Sequence, residues 1–178
     1  MTRSRLRLLY GAMAVAALAY LYDPPWIGRA TSGLRAWEED PPGTFFRWTA
    51  GRATLFVPST ASELTLPLRA VFPGPNGGPV TVEVRIDDRW LATIELTDPD
   101  AWVRPRLPLG RRAGYRSYRR VDLRINRTVG PYILGVMTGE ILIDGSVVPR
   151  DARALGDSTE TVPFWHPVFQ NNRTLTNE

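Results

Sequence analysis

The sequence predicts an all-β fold, an antiparallel two-sheet sandwich of jelly-roll-like type, preceded by one N-terminal transmembrane or signal helix. Three observations predict it. The first 22 residues separate arginines from an uncharged apolar run. Between residues 63 and 125 the hydrophobic residues recur every second position, the period of a strand with one face on a core. Clusters of Gly, Pro, Asn and Asp interrupt those runs at the short spacing of a sandwich. The length, 178 residues, suits about one domain.

Leu8 to Tyr22, LLYGAMAVAALAYLY, carries no charge; Arg3, Arg5 and Arg7 precede it and Asp23-Pro24-Pro25 ends it. A charged region before an apolar one is the pattern of a secretory signal, and Ala17-Leu18-Ala19 offers a small-x-small cleavage site. An uncleaved anchor competes with it. A span needs about 20 residues, and Leu6 on one side and Trp26-Ile27 on the other can extend this one. Tyr20, Tyr22 and Trp26 cluster at its far end, where a membrane interface gathers aromatic residues. That aromatic end favours the anchor. With the arginines held inside, the rest of the chain lies outside the cytoplasm, either tethered to the cytoplasmic membrane by a single pass or secreted after cleavage.

Four segments are expected: a signal-anchor helix over 1–27, a connector over 28–43, the sandwich over 44–145 and a loosely structured tail over 146–178. In the sandwich, Leu64, Leu66, Leu68, Ala70 and Phe72 alternate with Glu63, Thr65, Pro67, Arg69 and Val71. Val80, Val82, Val84 and Ile86 alternate with Thr81, Glu83, Arg85 and Asp87; Trp90, Ala92, Ile94 and Leu96 continue the pattern, as do Val121, Leu123 and Ile125. The Pro73–Pro79 loop contains Asn76-Gly77, suited to a turn with positive φ. Asp87-Asp88-Arg89 reads as a hairpin link. Further strands are expected over 44–49, 52–57, 101–109, 132–138 and 139–144, about eight short strands in all.

Composition removes several function classes. There is no cysteine, which excludes disulfides, thiolate metal sites and cysteine nucleophiles. One histidine excludes a multi-histidine metal cage, and all 22 cationic residues are arginine, so no lysine chemistry is open. The net charge of +4 suggests nucleic acid, but three of those charges precede the apolar run, leaving 19 arginines against 18 acids. Nucleic acid is therefore not an expected partner. No catalytic residue, metal or cofactor is expected. His166 in Phe164-Trp165-His166-Pro167 reads as a tail histidine, and the sequons at Asn126 and Asn172 as chance. A carboxylate-based glycoside hydrolase is the remaining enzyme alternative, and it would need two carboxyls among Glu38, Asp87, Asp88, Asp98 and Asp100 to converge. Asp98 and Asp100 could also offer oxygen ligands to calcium, without a supporting spacing.

Arg104 to Arg127 holds nine arginines against Asp122 alone. Charge of that density attracts phosphates, anionic lipid headgroups or acidic glycans, and Tyr115 and Tyr118 interleave with it to stack on a sugar. The candidate ligand-binding residues are Arg111, Arg112, Tyr115, Arg116, Tyr118, Arg119 and Arg120. The alternative is that these arginines pair with acids on neighbouring strands, such as Glu83, Glu95 and Glu140. Trp48, Trp90 and Trp102 lie in predicted strands and read as core or near-core. Glu38 and Arg47 are expected to pair across the first strand.

Trp37-Glu38, Phe46-Arg47-Trp48-Thr49 with Gly51-Arg52-Ala53, Leu64 to Ala70, Val82 to Asp87, and Leu134-Gly135-Val136 leading to Gly139-Glu140-Ile141 together resemble a known group. It comprises the small β-sandwich modules attached to bacterial membrane-embedded glycosyltransferases and polysaccharide-assembly proteins. The resemblance spans about residues 33–144, and those modules look like carbohydrate-binding sandwiches. It implies a non-enzymatic accessory or binding module for envelope polysaccharide or its assembly machinery. A protein-interaction domain docking onto a membrane partner is the alternative.

Overall fold

The computed structural model describes residues 3–110 and 114–150, with the backbone alone for residues 3–6. One α-helix, α1 (Arg3–Tyr22), precedes twelve strands, all paired antiparallel. These are β1 (Thr31–Leu34), β2 (Glu38–Glu39), β3 (Phe45–Pro58), β4 (Glu63–Thr65), β5 (Leu68–Arg69), β6 (Val80–Ile86), β7 (Arg89–Leu96), β8 (Arg106–Pro108), β9 (Tyr118–Ile125), β10 (Met137–Thr138), β11 (Leu142–Ile143) and β12 (Ser146–Val147). The larger sheet runs β5-β10-β3-β9-β6-β7, with β1 and β2 also on β3; the smaller runs β12-β11-β4-β8.

One hydrophobic core lies between the two sheets. Val82 and Val84 of β6, Val121 and Leu123 of β9 and Val57 of β3 meet Leu64 of β4 and Leu107 of β8 there. The period-two pattern is the cause: in β6 Val80, Val82, Val84 and Ile86 are all buried while Thr81, Glu83 and Arg85 are only partly so.

The structure redraws several expected elements. Residues 44–49 and 52–57 form one strand, because β3 continues through Ala50-Gly51 and changes partners instead of turning. Its first half pairs with β2 and β10 and its second half with β9. The expected connector over 28–43 contributes β1 and β2, whose polar sequences TSGL and EE carry no alternation. Pro67 stands between β4 and β5 where one strand was expected. Ser146 and Val147, at the start of the expected tail, belong to the sheet as β12: Asp144 and Gly145 have φ of 48° and 79° and close the β11–β12 hairpin. The remainder of the expected tail, 151–178, lies outside the described residues, as do His166 and the Asn172 sequon.

Trp90 is not core. It is 65% exposed, because the β6–β7 register shifts between Val84 and Arg85: Val84 faces Ala92, whereas Arg85 faces Trp90. Leu91 is the extra residue, and a bulge of this kind reverses the phase of the strand. Trp48 is buried as expected, and Trp102 is half-buried.

The hairpin before Trp90 turns on Asp87 and Asp88, with φ of 49° and 66°, a left-handed pair that Gly or Asn adopts more cheaply. Neighbouring groups hold it. Arg119 Nε donates to Asp87 Oδ2 at 2.9 Å and Arg119 Nη1 to the Leu109 carbonyl at 2.7 Å. The Arg120 amide donates to Asp87 Oδ1 at 3.0 Å, the Arg120 guanidinium pairs with Asp88 and Asp122, and Arg85 donates to the Asp88 carbonyl.

Glu38 and Arg47 do not pair. Arg47 is buried with its guanidinium over the Trp37 ring, 4.7 Å from the centroid, and burial lowers its pKa to about 10. Glu38 instead lies near Arg35 and accepts a hydrogen bond from Trp48; burial raises its pKa, and those two neighbours offset it only in part.

Arg119→Met removes the guanidinium that serves Asp87 Oδ2 and the Leu109 carbonyl, in a site where the arginine side chain is 8% exposed, and should cost about 3 kcal/mol in urea unfolding. Asp88→Ala, at a 79% exposed carboxylate, should cost under about 1 kcal/mol. For Glu38 the folded pKa exceeds the unfolded one, so its ionisation opposes folding above the carboxylate range and ceases to do so below it. Glu38→Gln should therefore match or exceed the parent melting temperature at neutral pH, and that advantage should shrink as pH falls through the carboxylate range.

Candidate functional site

A groove of about 780 Å³ lies on the outer face of the smaller sheet. Alternation places it there. Leu64 and Leu107 point into the core, so Thr65 and its partner Arg106 point outward, and Leu142, opposite Thr65, joins them. Phe45 and the Pro41–Thr44 turn wall one side.

Trp102 enters from the segment just before β8. Its indole lies against Gly139, where a Cβ would stand 3.4 Å from Trp102 Cζ3 and 3.1 Å from Pro67 Cβ. A methyl at 139 would press on Pro67 and only touch the ring, so the glycine chiefly lets the backbone pass close to Pro67 with the indole packed beside it. Around it stand Arg69, Arg104, Arg106, Glu63 and Glu140. Arg69 Nη2 pairs with Asp100 at 2.9 Å, and Arg150 Nε donates to Glu140 at 2.6 Å while its guanidinium covers the Phe45 ring. Arg104 and Arg106 are exposed, and no ion pair to either occurs among the described residues. The groove therefore combines an aromatic ring, hydrogen-bonding charges and two cations without an acid of their own.

The Asp144 carboxylate fixes the turn beside this groove. It accepts from the Ser62 amide at 2.9 Å, the Ser62 hydroxyl at 2.7 Å and the Glu63 amide at 2.9 Å. Those donors favour the charged form and hold its pKa below the ordinary 3.8.

Those of the expected ligand-binding residues that are described lie elsewhere. Arg111 and Arg112 lie outside the described residues. Arg119 and Arg120 are engaged by Asp87, Asp88 and Asp122. Tyr115, Arg116 and Tyr118 gather at the end of α1: Arg116 stands over the Tyr22 ring, 4.9 Å from its centroid, and Tyr118 lies against Gly28, where any Cβ would overlap its ring. Ser117 donates to Asp23 through its amide at 3.0 Å and its hydroxyl at 2.6 Å. Two arginines of the 104–127 segment, Arg104 and Arg106, do line the groove. Of the carboxylates considered for hydrolysis, Asp87 and Asp88 form the clamped turn, Asp100 pairs with Arg69, and Glu38 sits on β2. Glu63 and Glu140 share the groove instead. No cluster of three or more residues suited to hold a metal ion occurs among the described residues.

Sequence reasoning placed Trp102 near the core and so missed the groove. Pro99, Pro105 and Pro108 around it were the available signal, since prolines confine a strand to a sheet edge, where its outward side chains meet solvent.

No protein-family model and no curated protein matches the chain. Among solved structures, it is similar to a family two carbohydrate esterase from Clostridium thermocellum in complex with cellohexaose, at 12% identity and a TM-score of 0.42. That match covers 67% of this chain and 33% of the esterase, so the chain spans about a third of its length. A family 35 carbohydrate binding module from an environmental isolate matches at 13% identity and a TM-score of 0.42, covering 71% of this chain and 94% of the module. The module CBM36 in complex with calcium and xylotriose matches at 11% identity and a TM-score of 0.35, over 61% and 86%. Likeness of this degree assigns no ligand and no site residue here.

The depressed Asp144 pKa makes its carboxylate stabilising above the unfolded pKa, a contribution lost as pH falls through the folded one. The Ser62 and Glu63 amide resonances should titrate together with a midpoint below 3.8. Asp144→Asn should abolish that titration.

Proposed function

We propose that this chain is a non-enzymatic carbohydrate-binding module, accessory to envelope polysaccharide, with the groove over β4, β8 and β11 as its site. The observation that carries the proposal is the half-buried Trp102 in an open groove among Arg69, Arg104, Arg106, Glu63 and Glu140. A sugar ring offers an apolar C–H face to an indole and hydroxyls to charged side chains, and this groove offers both. Arg104 and Arg106 give it a preference for acidic sugars, by charge-assisted hydrogen bonds to a carboxylate.

The module is held at the outer face of the cytoplasmic membrane by α1. No helix among the described residues is long and apolar enough to cross a membrane; the uncharged stretch from Leu8 to Tyr22 would be about 22 Å long as a helix. Attachment is supported by its surface. Leu8, Met13, Val15, Leu18 and Leu21 are all exposed, and at 100° per residue they point to every side of the helix. Apolar surface of that extent demands a cover.

Binding rather than cleavage is favoured because Glu140 is held as the partner of Arg150, whereas glycoside hydrolysis needs one carboxyl protonated and one free. The test is titration of acidic and neutral oligosaccharides into the full-length protein in detergent. Acidic glycans should bind more tightly, and Trp102→Ala should weaken binding about tenfold with the fold intact. Undiminished binding by a folded Trp102→Ala protein would remove the groove from the proposal. Cleavage of the oligosaccharide, lost in Glu63→Gln, would replace it with a hydrolase. A silent titration with a stoichiometric protein retained in mild detergent would leave a docking domain.

A further inference from the structure

The end of α1 and the segment Gly114–Tyr118 meet although about 94 residues separate Asp23 from Ser117. The contacts are specific: Ser117 holds the Asp23 carboxylate by amide and hydroxyl, Arg116 covers Tyr22, and Tyr118 fills the space left by Gly28. The helix therefore leaves the sandwich from a fixed footing, and Tyr115 and Arg116 lie level with its last turn. Tyr115 is 90% exposed, and Tyr20, Tyr22 and Trp26 are exposed beside it.

We propose that these residues form one lipid-facing foot, in which Tyr20, Tyr22, Trp26 and Tyr115 sit at the headgroup level and Arg116 takes the phosphate of an anionic lipid. This rests on the attachment of α1 to a membrane proposed above. Three features of the foot fit a bilayer. The apolar side chains of α1 point to every side, so a protein groove covering one face would leave the rest in water. The aromatic residues gather at one end only, as amphipathic rings do at a membrane boundary. Finally, Tyr22, Gly114, Tyr115, Arg116 and Tyr118 surround a cleft of about 330 Å³, open to the group that Arg116 would meet. Of the acids that line the clefts beside Arg116, Asp87 pairs with Arg119, Asp88 with Arg120, and Asp23 is held in hydrogen bonds from Ser117. Any surface that receives α1 as far as Tyr22 must receive Arg116 and Tyr115 with it.

The chain has no cysteine, so single labels can be placed cleanly. Leu18→Cys, Tyr115→Cys and Glu95→Cys, each carrying an environment-sensitive fluorophore on the full-length protein, would be mixed with vesicles of equal parts phosphatidylcholine and phosphatidylglycerol. Labels at 18 and 115 should shift to the blue, and the label at 95 should not. Arg116→Glu should reduce the bound fraction on these vesicles about tenfold and leave it unchanged on phosphatidylcholine alone. A shift at 18 without one at 115 would overturn the foot and leave the anchor standing. No shift at either position would overturn both. An Arg116→Glu protein with an unchanged far-ultraviolet spectrum and undiminished binding would remove the headgroup from the proposal.

Discussion

A strand buried in the middle of a sheet must find a partner for its backbone groups on both edges, and β3 asks this over fourteen residues. Its demand organises the larger sheet. β9 takes one edge from Arg52 to Pro58, and β1 covers Leu55 and Thr54 from the other. Along the first half, β2 and β10 take over, and the buried Thr49 exchanges hydrogen bonds with Val136 through both its backbone and its hydroxyl. Two-residue strands with weak sequence signals persist because β3 supplies a ready-made edge. The arrangement turns local polarity into sheet structure.

The same logic explains why the groove and the foot lie outside the core. The smaller sheet has four strands of two or three residues, and each can commit only one or two side chains inward. What remains, Thr65, Arg106 and Leu142, is left to form a floor. Trp102 and Glu140 come from segments next to the strands, positioned by Gly139 and by Arg150. At the foot, the start of β9 carries Ser117 and Tyr118 to the last turn of α1.

The long alternating runs were legible because burial on one face leaves a direct imprint on sequence. β6, β9 and the inward half of β7 show it. Other parts left a weaker imprint. β1 and β2 are strands by virtue of β3, which no local pattern announces. Trp90 was assigned to the wrong face since a one-residue bulge at Leu91 reverses phase without changing composition. Asp144-Gly145 carried a strong hairpin signal that loss of alternation after residue 145 concealed. In the candidate site, the arginine density between 104 and 127 was legible, but its division was not: Arg119 and Arg120 serve a turn, Arg116 a helix end, and Arg104 and Arg106 the groove. Only pairing across strands decides which guanidinium is spent.

The clamped Asp87-Asp88 turn also bears on the order in which the chain assembles. A hairpin usually closes early because its turn is locally encoded, as by Asn-Gly. Here two adjacent carboxylates occupy left-handed conformations, and the cations that answer them are on β9, about 32 residues away. Locally, Arg85 donates to the Asp88 carbonyl. The β6–β7 turn thus gains most of its side-chain support only when β9 is in place beside β6. A turn so supported ties a contact that most hairpins make locally to a loop closure of about 32 residues, so the expectation for this sandwich is a folding nucleus in its central strands and not in the β6–β7 turn.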